Sequence, residues 1–228
     1  MTAVGATLQV LGARFKNRAS VTAFLSALAA VVAVTLLERR ASSLTAADRA
    51  LGGISLGLVL PLFAYGTVAR ALGRGNLENA FTELARFGVS RRTAGLSAGL
   101  GSLLVLAPAG ALIALLAVVV ARAPADPLLW RDAVTSSWIG ALAGVCYAAY
   151  FVLGSSFGSR GGGRSVLFVV DFVAGTSGGI AAVWWPRGHV ANLLGARPVL
   201  DMPQWSASLA LVLLTCVYLG VAVWRVRR

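Results

Sequence analysis

Residues 94–121 read AGLSAGLGSLLVLAPAGALIALLAVVVA, a run of 28 residues that contains no charged side chain. A membrane-spanning helix needs about 20 mostly apolar residues to cross the hydrocarbon core of a bilayer. The whole composition agrees with a lipid environment, because 58% of the 228 residues are hydrophobic and only 12% are charged. That charged fraction is about half the value of a soluble domain. The sequence therefore predicts a membrane protein and excludes most classes of soluble enzyme.

Five further stretches meet the same criterion, which predicts an all-α integral membrane protein with six transmembrane helices. The predicted spans are Ala19–Leu37, Leu51–Ala69, Ala94–Ala121, Val134–Phe157, Ser165–Trp185 and Ser206–Trp224. Residues 1–18 are predicted to form an amphipathic cytoplasmic segment, and residues 19–228 a single transmembrane domain. The connections between the spans are too short to hold a separate soluble domain.

The distribution of basic residues predicts the orientation of the spans. With the N-terminus in the cytoplasm, the inner segments hold 13 basic and two acidic residues, and the outer segments hold seven basic and five acidic residues. Basic residues concentrate in the cytoplasmic loops of membrane proteins. Both termini are therefore predicted to be cytoplasmic. The net charge of +12 is accordingly interpreted as a topology signal rather than as a sign of nucleic-acid binding.

The inner segment between the second and third spans is predicted to contain a short amphipathic helix. Asn76 is a plausible N-cap, and Gly88 is a plausible C-terminal glycine. Between them Leu77, Phe81 and Leu84 recur at helical spacing. Two interpretations are open at this point: a helix that lies on lipid headgroups, or a helix that docks its apolar stripe into a groove on a soluble partner.

The same segment resembles the coupling segment of type-2 ABC exporter permeases, the ABC-2-type membrane permease family. The resemblance is carried by Gly75-Asn76-Leu77-Glu78, Leu84 and Gly88-Val89-Ser90-Arg91-Arg92, after span two of six. The basic N-terminal stretch and the last span, which opens with Pro203-Gln204-Trp205 and ends with Arg225-Val226-Arg227-Arg228, are also similar. Gly88 departs from the family pattern, which often has proline there.

The resemblance implies a permease subunit of a bacterial ABC exporter, multi-pass in the inner (plasma) membrane. In the family such a chain pairs with a second copy of itself or a related permease, and both bind separate ATPase subunits that carry the ATP and magnesium. The implied contact face for the ATPase is Leu77, Glu78, Phe81, Leu84 and Arg86. The chain itself is predicted to bind no cofactor and to be no enzyme, because its only lysine, Lys16, follows no phosphate-binding glycine turn.

Two other functions compete with this one. The same cytoplasmic helix would also suit a non-transporting membrane scaffold that recruits a soluble partner. An ion-coupled carrier would use an acidic residue in the membrane, but the chain shows no inverted repeat of the kind many such carriers have.

Asp171 is the only acidic residue well inside a predicted span. A carboxylate in hydrocarbon is costly, so it is expected to line a substrate pathway, with Tyr147 and Thr176 as further candidates, or to pair with Arg164 or Arg160. The sole histidine, His189, has no cluster of ligands around it in the sequence, so no metal site is expected. The apolar, proline-containing stretch Pro186–Gln204 is expected to form a partly re-entrant or interfacial element on the outer side.

Overall fold

The computed structural model describes residues 3–41, 46–73, 75–80, 82, 88–122, 129–158, 160–177, 179–196 and 198–226. Within these ranges the chain is built from helices and turns, with no strand. The helices are α1 (Ala3–Phe15), α2 (Arg18–Ala41), α3 (Ala46–Leu72), α4 (Arg91–Ala121), α5 (Leu129–Gly154), α6 (Gly163–Ala174), α7 (Pro186–Leu193) and α8 (Gln204–Arg225). The predicted all-α class is confirmed.

The helices α2, α3, α4, α5 and α8 are each long and apolar enough to cross a membrane. They correspond to the first four predicted spans and to the last one. Among them α5 is central, since 72% of its most apolar stretch is buried, whereas only 11% of that of α2 is buried. The bundle is therefore arranged around α5, with α2 at its periphery.

The predicted continuous helix at Ser165–Trp185 is not confirmed. The helix α6 ends at Ala174, a 3₁₀ turn covers Ile180–Trp184, and α7 begins at Pro186. Glycine weakens a helix interior, and proline is favoured in the first turn of a new helix. The glycines that follow Ala174, together with Pro186, therefore divide an apolar stretch that hydrophobicity alone would read as one span.

The first half of α3 is wound as a π-helix over Ala50–Val59, and the backbone N–H of Leu60 donates to the carbonyl of Ser55. Pro61 follows at once in the α-helical part. Because proline has no N–H, it donates no hydrogen bond where the π-helical part passes into the α-helical part. The helical hydrogen-bond ladder of α3 is therefore incomplete at its middle.

Close contact between α4 and α5 depends on glycine. A Cβ atom placed on Gly110 would lie 2.1 Å from the carbonyl oxygen of Gly140, and one on Gly144 would lie 2.1 Å from that of Leu106. Any side chain at these positions would force the two helices apart. Small residues allow such close approach in lipid, where no hydrophobic effect drives helices together.

Candidate functional site

Asp171 lies near the end of α6, against the first turn of α7, where it binds Arg187. The backbone N–H of Arg187 donates to Asp171 Oδ1 at 3.1 Å, and Arg187 Nε lies 3.6 Å from Asp171 Oδ2. The two side chains are only 3% and 12% exposed, so the pair lies inside the protein. Arg187 is the second residue of α7, where backbone N–H groups lack intrahelical acceptors. The carboxylate of Asp171 therefore acts as a cap at the positive end of that helix.

Of the residues predicted to line a substrate pathway, Tyr147 contacts Asp171 and Thr176 does not. The hydroxyl of Tyr147, on the buried face of α5, donates to Asp171 Oδ2 at 3.0 Å. Thr176 does not join them, because its exposed hydroxyl donates to the carbonyl of Val173 at 3.0 Å. The expected pairing of Asp171 with Arg164 or Arg160 is corrected: the partner is Arg187, and Arg164 Nε donates to the carbonyl of Gly161 at 3.2 Å.

The guanidinium of Arg187 also reaches α3. It donates to the carbonyl of Gly57, in the π-helical part of α3. Its carbon Cζ lies 4.5 Å from the ring centroid of Phe172, in a cation–π contact. A Cβ atom on Gly175 would lie 2.8 Å from Cβ of Arg187, so this glycine is required for the close approach.

These contacts make one cluster from four helices: Asp171 of α6, Arg187 of α7, Tyr147 of α5 and Gly57 of α3. A buried charge in lipid must be paired, and irregular backbone at membrane depth must be covered by protein. The cluster meets the first requirement at the point where the chain passes from α6 to α7. The cluster holds the short helices α6 and α7 against the rest of the bundle, because each of its two charges is paired with groups of the same chain.

Sequence reasoning missed Arg187, because the residue was assigned to an outer loop beyond the fifth span. A signal did exist in α3. Pro61 inside an apolar span predicts an orphaned carbonyl at Gly57, and an orphaned carbonyl in lipid needs a donor from elsewhere. Position in the sequence alone does not say which of the 19 arginines provides that donor, since Arg187 lies 130 residues away from Gly57.

The segment between α3 and α4, which is predicted to be cytoplasmic, is attached to the bundle at its start. Leu77 is only 2% exposed, and its N–H donates to the carbonyl of Ser155, after α5, at 2.9 Å. Glu78 forms a salt bridge of 2.7 Å with Arg91, in the first turn of α4. Leu77 therefore packs inside this chain, and its predicted contact with a partner stays a prediction.

The predicted helix of this segment is not confirmed, because residues 77–80 form turns and most of residues 81–87 lie outside the described ranges. Asn76 Oδ1 accepts a hydrogen bond from the N–H of Asn79 at 2.9 Å, as an N-cap does. Gly88 has φ of 77°, the left-handed conformation that commonly ends a helix. Three of the predicted contact residues, Phe81, Leu84 and Arg86, lie outside the described residues.

The segment also contacts α1 and the glycine-rich turn after α5. Arg14, in the last turn of α1, donates to the carbonyl of Ala71 at 2.6 Å and to that of Ala80 at 3.5 Å. In the glycine turn, a Cβ atom on Gly161 would lie 3.0 Å from the carbonyl oxygen of Gly75. The helix α1 and the glycine turn therefore both lie against this segment.

In the part of the chain that the structure describes, no three His, Cys, Asp or Glu side chains lie together as a metal site would require. His189 is fully buried on α7, with Nε2 at 2.8 Å from the carbonyl oxygen of Val183. Comparisons with protein-family models, with curated proteins and with solved structures give no match for this chain.

Proposed function

We propose that this chain is the membrane-spanning permease subunit of a bacterial ABC exporter in the inner membrane. It would form the substrate pathway as a dimer with a second copy or a related chain. Its cytoplasmic segment between α3 and α4 would bind a separate ATPase subunit, which supplies the ATP and magnesium. The observation that carries the proposal is the attachment of this segment, at its start, to several helices of the bundle.

A coupling element must bind its partner and pass the partner's movement on to the membrane helices. The start of the segment is held by the Leu77–Ser155 hydrogen bond to the end of α5 and by the contacts of Arg14 from α1. Its salt bridge from Glu78 to Arg91 reaches α4. Movement of the segment would therefore be transmitted to α1, α4 and α5 together, which suits coupling better than simple recruitment of a partner.

The proposal includes a sixth, interrupted crossing made by α6 and α7. At the start of α6, a Cβ atom on Gly163 would lie 2.5 Å from the carbonyl oxygen of Gly154, which ends α5. Just after α7, Leu194 lies against Gly52, in the first turns of α3. A crossing from the end of α5 to the start of α3 would make six spans, and both termini would then be cytoplasmic, as the positive-inside rule favours.

The interrupted crossing also offers a point at which the bundle can rearrange. Short helices that meet at membrane depth are joined there by the ion pair of Asp171 and Arg187 rather than by continuous helical hydrogen bonds. Discontinuous helices form the substrate sites of many secondary transporters, which shows that such junctions are tolerated in membrane proteins that move. We infer that the α6–α7 junction moves when the cytoplasmic segment is pushed.

The test is a pair of charge substitutions on the cytoplasmic helix. Phe81→Asp together with Leu84→Asp removes two apolar side chains and adds two charges to the proposed docking face, a loss of several kcal/mol at an interface hot spot. Association with the ATPase subunit and transport should be lost, while membrane insertion is retained. The matched control is Thr82→Asp, which adds a charge at an exposed position of the same segment.

The same experiment separates the competing functions. A helix that only lies on headgroups would keep its ATPase subunit after the double substitution, which contradicts coupling. A scaffold would lose a partner that has no ATPase activity, and this outcome would favour the scaffold instead.

A further inference from the structure

A cavity of about 530 Å³ lies between α2, α3 and α4, and the end of α1 closes one side of it. Its volume is within the range of about 300–1,000 Å³ that is typical of small-molecule sites. The interior is formed by apolar side chains, among them Phe24, Phe63 and Leu112. Leu104 and Leu112 both contribute to it from α4, which gives it a length of about 12 Å along that helix.

One end of the cavity is polar and lies beside exposed basic residues. The hydroxyl of Ser20, which lines the cavity, is buried and has no hydrogen-bond partner in the chain. Thr67 provides a second hydroxyl on the opposite wall, from α3. Between Phe15 and Ser20, two residues that line this end, the turn from α1 to α2 exposes Lys16 and Arg18.

We propose that this cavity binds one anionic phospholipid of the cytoplasmic leaflet. Part of an acyl chain would occupy the apolar interior, the hydroxyl of Ser20 would donate to an oxygen of the glycerol–phosphate region, and Lys16 and Arg18 would bind the phosphate. The choice of occupant follows from charge complementarity: a basic mouth and an apolar interior fit an anionic amphiphile, and they do not fit a soluble anion or an uncharged hydrocarbon.

Pro108 explains why a cavity exists at this position. It lies within α4 and lines the cavity, and its ring removes the N–H that would bond the carbonyl of Leu104. The helix α4 is continuous through Pro108, and this residue contributes its ring to the wall of the cavity in place of a longer side chain. The lipid would thus contact the inner half of α4 next to the turn that joins α1 to α2, and its binding requires no ATPase subunit, so it is separable from the proposed function.

The experiment is a lipid titration of the purified full-length chain, followed by native mass spectrometry. Phosphatidylglycerol and phosphatidylcholine with the same acyl chains are compared at the first bound lipid. The phosphatidylglycerol should bind more tightly, and Lys16→Gln with Arg18→Gln should reduce that preference about 25-fold, since each basic residue near a headgroup is worth about fivefold. The control Arg39→Gln with Arg40→Gln, at the other end of α2, should leave the preference unchanged.

A second variant tests the cavity itself. Val105→Trp fills the space lined by Val105, and it should remove the first bound lipid of either headgroup. Val119→Trp places the same side chain at an exposed position of the same helix, outside the cavity, and should keep that lipid. Equal binding of the two phospholipids, or an unchanged first lipid in a folded Val105→Trp protein, would overturn the proposal. If Val105→Trp fails to fold, the charge variants alone decide it.

Discussion

Removal of the charge on Arg187 is the sharpest test of the buried cluster. The carboxylate of Asp171 is 3% exposed in the wild type, and in Arg187→Met it would keep only the hydroxyl of Tyr147 and the backbone N–H of residue 187. Breaking a buried pair by removing one partner typically costs 3–5 kcal/mol, because an uncompensated charge is left behind. The two remaining donors place the expected loss at the lower end, about 3 kcal/mol of unfolding free energy.

The companion change, Asp171→Asn, leaves the guanidinium of Arg187 without a carboxylate but keeps an acceptor for the first turn of α7. The double variant removes both charges together. Its loss should be smaller than the sum of the two single losses by about 2 kcal/mol, within the range seen for residues in contact. Arg39→Met is the matched control, because that arginine also donates to a backbone carbonyl but lies exposed on the surface.

The assay is reversible unfolding in mixed micelles by a denaturing detergent, followed by tryptophan fluorescence. We expect Arg39→Met to stay within about 0.5 kcal/mol of the wild type. If the losses of unfolding free energy from Arg187→Met and Asp171→Asn simply add in the double variant, the assignment of an ion pair is refuted. A loss of unfolding free energy below about 0.5 kcal/mol in either single variant would refute the claim that the cluster holds α6 and α7 in place.

Three further predictions follow from other contacts. Gly140→Ala should destabilise the protein by about 1–3 kcal/mol, because its Cβ would lie 2.3 Å from a facing carbonyl oxygen, whereas Gly220→Ala, where nothing lies within 4 Å, should be neutral in the same unfolding assay. Glu78→Gln should change unfolding free energy by less than about 1 kcal/mol, because its partner Arg91 is half exposed, yet lower coupled ATPase activity; a large loss of stability would mean that the salt bridge is structural. Ser42→Cys should react with an impermeant thiol reagent from outside intact cells, and labelling only from the cytoplasmic side would overturn the orientation.

Hydrophobic length was enough to predict the long helices. The run at residues 94–121 and the helix α4 agree closely, because a stretch without charge has no alternative in lipid but to span it as a helix. The same criterion did not anticipate the interruption between α6 and α7. There apolarity and helix formation diverge, since Gly175 and Pro186 are compatible with hydrocarbon but not with one continuous helix.

The candidate site was predicted in part. Asp171 was identified by the cost of a carboxylate in a membrane, but its partner could not be deduced, because the contact joins the ends of two helices that appeared as one span and a loop. In the segment between α3 and α4, the side-chain hydrogen bond of Asn76 and the positive φ of Gly88 are local features of the kind that sequence encodes directly, while the helix predicted between them is not confirmed. The burial of Leu77 depends on α4 and on the end of α5, and periodicity gives no information on such contacts between distant elements.

Direct measurement of the assembly tests the central claim that this chain is a permease driven by a separate ATPase. The chain would be purified in a mild detergent from its native membrane, and its subunits counted by native mass spectrometry while ATP hydrolysis is assayed on the same sample. We predict two permease chains bound to two subunits that carry a Gly-x-x-x-x-Gly-Lys-Ser/Thr motif, with ATPase activity that is lost after Phe81→Asp with Leu84→Asp. A chain that purifies alone, or with partners that lack this motif and hydrolyse no ATP, would contradict the account.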